Sequence, residues 1–240
     1  MAAPPTYSVR IEGLGASTGQ GAVRSLHVLY EGCNPVARSR SARQVLGALR
    51  YALGVTRAKV EATDLLAVPA QVITRGGAAV LLPPRTSNVP SPVDRQLIAD
   101  GFRRLVTQEA LVEGATGRLL VPEPLPLDDQ AAGSALGEAW DASSPRTEPG
   151  PGRYEVVGWI FDRSTHQPVD SRAAALARAL QLMERREQHI SAGTLTVLAG
   201  LIRAINVVAV EGPASSEVVQ VACEMLRPNV DRPSARHPAK

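Results

Sequence analysis

Residues 79–93, AVLLPPRTSNVPSPV, constrain the fold of this chain more than any other stretch. Ala79, Val80, Leu81 and Leu82 form an unbroken apolar run without alternation, the pattern of a strand buried on both faces. A loop follows, and residues 94–99 then have helical character. A buried strand that enters a loop and then a helix is the frame of a phosphate-binding loop. The first helical turn there offers unpaired N–H groups and the positive end of the helix dipole to an anion. In this chain the connection has no glycine and no lysine, and it carries four prolines, Pro83, Pro84, Pro90 and Pro92. Each proline removes a backbone donor and restricts the residue before it. The frame predicts an α/β fold, and the loop lacks the chemistry that normally accompanies the frame.

The chain has 240 residues, room for one large domain or two small ones. Only 3% of residues are aromatic, so the core has to be built from Ala, Val and Leu. No apolar run reaches the roughly 18 residues that span a bilayer. The start, Met1-Ala2-Ala3-Pro4-Pro5, has neither the basic nor the apolar region of a signal peptide. Cys33 and Cys223 form neither a disulfide framework nor a metal-ligand spacing, which predicts a reducing, cytoplasmic setting and no membrane partner. Net charge is +3, lysine occurs only at Lys59 and Lys240, and the arginines are scattered apart from Arg38, Arg40 and Arg43. A nucleic-acid footprint is normally a concentrated basic face, so nucleic acid is not an expected partner.

Along the chain, residues 1–60 are expected to form a small N-terminal α/β region. It has strands at 7–11 and 26–30 and a helix at 42–53, where Val45, Leu46, Leu49 and Leu53 have helical spacing. The glycine-rich stretch Gly13-Leu14-Gly15-Ala16-Ser17-Thr18-Gly19-Gln20-Gly21 follows a strand, but no helix pattern follows it, so a hairpin loop is expected. Residues 61–228 are expected to form the core. Within it, strands at 110–112 and 118–121 flank Glu113-Gly114-Ala115-Thr116-Gly117, good hairpin chemistry. Residues 129–152 read as a flexible loop. A strand at 154–161 precedes a helix at 171–188 with Leu176, Leu180 and Met183 on one face. Ser191 is placed to cap a helix ending near Ala204. A strand at 206–210 is broken by Gly212-Pro213. Ser215 or Ser216 caps a last helix that runs to Leu226 and stops at Pro228. The tail, 229–240, is polar and is expected to be disordered.

Candidate chemistry outside the loop is sparse. His27, His166, His189 and His237 form no pair with metal spacing, so no metal is expected. Cys33 follows Gly32 with no local activating group and reads as a turn cysteine. Asp162 and Asp170 flank a loop after a strand, where solvated or capping acids are common. Glu184-Arg185-Arg186-Glu187 reads as a solvated helix face with local ion pairs, a partner-binding face being the alternative.

The segment Gly76-Gly77-Ala78-Ala79-Val80-Leu81-Leu82-Pro83 resembles the strand that enters the P-loop of HPr kinase/phosphorylase-like proteins. These share a P-loop core with phosphoenolpyruvate carboxykinases. The similarity continues through Gly101-Phe102 after the helix, the strand position Leu105-Val106-Thr107-Gln108, the hairpin Ala115-Thr116-Gly117-Arg118 and Pro122-Glu123-Pro124-Leu125. It runs without a gap from Gly76 to Leu125. Leu29-Tyr30-Glu31-Gly32-Cys33, followed by Val36-Ala37-Arg38, is similar to the small N-terminal region of actinobacterial members. The resemblance implies a kinase-like core, α/β or α+β, with the small N-terminal region attached.

The departures fall on the family's chemical positions. Its loop glycines correspond to Pro84, Ser87 and Val89, and its phosphate-contacting lysine to Pro90. Of its hydroxyl pair Ser91 survives, but the neighbour is Pro92. The acid at the end of the next strand corresponds to Thr107, the histidine before the core to Pro69, and the lysine of the Pro-x-Pro-Leu segment to Glu123. Phosphate cradling needs free amides in a concave loop, and metal and charge compensation need the lysine and the acid. The resemblance therefore implies a degenerate, non-catalytic member with no cofactor, which binds a protein or peptide partner. Its implied setting is a bacterial peptide-modifying (natural-product) pathway. A diverged kinase or phosphatase with a relocated nucleotide site is the alternative. The pattern leaves open a homo-oligomer.

Overall fold

The computed structural model describes residues 7–10, 26–39, 42–62, 64–84, 92–105, 109–124, 149–163, 169–184, 190–212 and 216–227. The N-terminal region is a three-stranded antiparallel sheet, β1 (Tyr7–Arg10), β2 (His27–Glu31) and β3 (Asn34–Ser39), in that order. The third strand was not expected from the sequence. It pairs with β2 across the turn Gly32–Cys33, where Gly32 has φ 57°, a left-handed conformation open to glycine. Helix α1 (Ala42–Glu61) packs Val45 and Ala48 against Leu29 and Ala37 of the small sheet. It continues beyond the expected end at Leu53, and its second half places Tyr51 and Val55 in the main core. The Tyr7 hydroxyl lies 3.2 Å from Thr56 Oγ1 and donates to Glu31 Oε1 at 3.4 Å, tying β1 to the helix.

The main sheet is mixed and has eight strands. Its antiparallel wing consists of β4 (Leu65–Val68), β8 (Ala110–Glu113) and β9 (Leu119–Val121). The remaining strands are β5 (Gln71–Arg75), β6 (Ala78–Leu82), β7 (Arg103–Leu105), β10 (Gly152–Asp162) and β11 (Asn206–Val210). They are ordered β11-β10-β6-β5-β7, with β11, β10 and β6 mutually parallel and β5 antiparallel between β6 and β7. Strand β10 joins the two halves. Its first residues pair with β9 and its last with β11, while β6 runs along its other edge. The chain is thus an α/β protein. Strands β4 and β5 were not expected from the sequence, and β7 ends at Leu105, at the start of the strand position 105–108 that the resemblance implied. The turn Gly76–Gly77 has positive φ at both residues, 58° and 86°, as a two-residue type I′ hairpin requires.

The faces of the sheet separate cleanly. Val72, Ala79, Leu81, Trp159 and Phe161 point to one side, covered by α1, α3 (Arg172–Glu184) and α4 (Ala192–Ala204). Ile73, Val80, Leu82 and Ile160 point to the other, covered by α2 (Pro92–Ala99) and α5 (Ser216–Met225). Burial on both faces explains the unbroken apolar run of β6, whose Ala79, Val80 and Leu81 are wholly buried. On α3 the buried apolar residues are Ala175, Ala179 and Met183, and the expected Leu176 and Leu180 only flank them. Ser191 caps α4 as its sequence predicts, its Oγ accepting from Thr194 N–H at 3.0 Å. No helix among the described residues is long and apolar enough to cross a membrane.

The expected hairpin at 113–117 forms. Gly117 N–H donates to the Glu113 carbonyl at 2.8 Å, and the Glu113 carboxylate accepts from Thr116 Oγ1 at 2.8 Å and Arg153 Nε at 2.5 Å. Burial pushes the Glu113 carboxyl up. The two hydrogen bonds and the charges of Arg153 and Arg118 outweigh that and hold it below its ordinary value.

Candidate functional site

Strand direction decides where a site belongs. After β6 the chain crosses to α2 on one face, and after the neighbouring β10 it crosses to α3 and α4 on the other. The C-terminal ends of β6 and β10 therefore form a topological switch point, the position at which open α/β sheets take ligands. The proline-bearing connection starts at this point.

Among the sequence-predicted site residues, Pro84 follows the buried Pro83 directly off β6 and is half-buried. Pro92 is the first residue of α2, where a missing N–H breaks no helical bond and φ near −65° is already set. Ser87, Val89, Pro90, Ser91 and Thr107 lie outside the described residues, as do the 13–21 loop, His166, His189, His237, Pro228 and the tail. Only 149–152 of the expected 129–152 loop are described, and only Glu184 of the 184–187 charge cluster, which is exposed. Pro69 is buried between β4 and β5, and Glu123 is exposed.

Sequence reasoning missed the polar group at this end of the sheet. Gln71 opens β5 and pairs with Leu82, the last residue of β6. Arg104 lies opposite Ile73 in the next strand, so its side chain points to the face that α2 covers. Asp94, in the first turn of α2, is completely buried, and its Oδ1 lies 3.5 Å from Arg104 Nε. Arg104 Nη2 donates to Gln71 Oε1 at 3.3 Å. Gln71 Nε2 is buried with no hydrogen-bond partner among the described residues. Removing two ions from water is costly, and taking away one partner of a buried pair leaves an uncompensated charge. The pair links the first turn of α2 to β7. The available signal was an acid in a helix first turn and an arginine inside a short apolar strand, separated by one turn-forming Gly101.

The neighbouring ends are closed by main-chain bonds. Asp162 Oδ1 accepts from Gly212 N–H at 3.2 Å, and Arg163 donates from its backbone to Val210 O at 2.7 Å and from its guanidinium to Ala209 O at 2.9 Å. Glu217 Oε2 accepts from Glu211 N–H at 3.0 Å. Asp162, expected as a solvated or capping acid, thus binds a loop amide, and Asp170 is exposed.

The other candidates are dispersed. Lys59 pairs with Glu109. His27 is buried in β2, with no hydrogen-bond partner at Nδ1 among the described residues. Cys33 is exposed in its turn, as expected. Cys223, half-buried on α5, has its thiol pushed up, first by burial and then by Asp100 and Glu224, against opposing contributions from Arg75 and Arg227. Among the described residues no cluster of His, Cys, Asp and Glu is placed to hold a metal ion. No protein-family model, no curated protein and no solved structure matches this chain.

Proposed function

We propose that the chain is a non-catalytic, HPr-kinase-like protein that works by holding a protein or peptide partner, in a peptide-modifying setting of the kind the resemblance implies. The observation that carries this reading is the chemistry at the switch point. The connection from β6 to α2 has prolines at Pro83, Pro84 and Pro92, and the first turn of α2 places a buried carboxylate, Asp94, where nucleotide binding needs amides and positive charge. A carboxylate there repels phosphate, and Arg104 faces it.

Titration calorimetry and thermal shift with ATP, ADP and magnesium test the proposal. The expected outcome is no heat and no shift at millimolar nucleotide. Micromolar affinity would overturn the reading in favour of a diverged kinase or phosphatase. Crosslinking in the native host, followed by reconstitution of the captured partner from purified components, tests the binding role. No reconstituted complex at micromolar concentrations counts against it.

A further inference from the structure

We draw no further inference here: the strongest candidate, the face of the N-terminal sheet turned away from α1, where Arg10 and Arg38 flank the buried Val28 in one cross-strand row, carries nothing because nothing among the described residues shows what covers it.

Discussion

Helix α1 contains two glycines that local propensity treats alike, and the tertiary structure assigns them opposite signs. Alanine in a helix interior is favoured over glycine by roughly 0.8–1 kcal/mol. A Cβ built at Gly47 meets nothing within 4 Å, so Gly47→Ala is expected to realise most of that gain. A Cβ at Gly54 lies 2.7 Å from the carbonyl oxygen of Glu123 and 3.7 Å from Cβ of Pro122. The oxygen is backbone, in a segment that leaves β9 between two prolines, Pro122 and Pro124, and it cannot rotate aside as a side chain can. Relief requires moving α1 away from the core, which loosens Tyr51 and Val55. Overpacking of this kind costs about 1–3 kcal/mol, and an unyielding neighbour places it in the upper part of that range. After the propensity gain, the net loss for Gly54→Ala is about 1–2 kcal/mol. The two variants should then differ by about 2–3 kcal/mol, with melting temperatures displaced by 2–4 °C per kcal/mol in opposite directions. Urea unfolding followed by far-UV circular dichroism and tryptophan fluorescence measures both. If Gly54→Ala is as stabilising as Gly47→Ala, the close approach of α1 to 122–124 is wrong, and with it the docking of the N-terminal region on the core.

The remaining predictions concern titration and reactivity. Because the folded Glu113 carboxyl lies below its ordinary value, its contribution to stability is present above pH 4.5 and is lost as pH falls through the lower, folded value. Glu113→Gln should flatten the acid limb of a stability–pH curve, and an unchanged limb would contradict the assigned bonds. With a thiol reagent at pH 8, exposed Cys33 should react well before Cys223, which is half-buried and whose thiol burial pushes up. Equal rates in native buffer would contradict the packing of α5.

Legibility in the sequence followed interaction range. The β6 run, the Glu113–Gly117 turn and the Ser191 cap each depend on residues within a few positions of one another, and the structure carries all three. Strands β4, β5 and β7 are short and depend on partners elsewhere. Gly76–Gly77 marks the hairpin between β5 and β6 in plain view, but its neighbour Gln71-Val72-Ile73-Thr74-Arg75 is polar at both ends, which conceals a strand whose Gln71 is buried. Arg103-Arg104 looks like surface until α2 brings Asp94 over the second of the pair. Helix α1 runs on past Leu53 through Gly54, whose missing side chain admits the Glu123 carbonyl, a contact no local spacing reveals.

By itself, then, the sequence determined that this is an α/β chain with a strand-to-helix connection that carries four prolines and no glycine or lysine, because strand burial and helix start are written locally. Only the tertiary structure decided that β6 and β10 send their helices to opposite faces, and that Gln71, Asp94 and Arg104 meet beneath the start of α2. Those facts depend on strand order and on contacts between segments far apart in the chain, where no local residue pattern reaches.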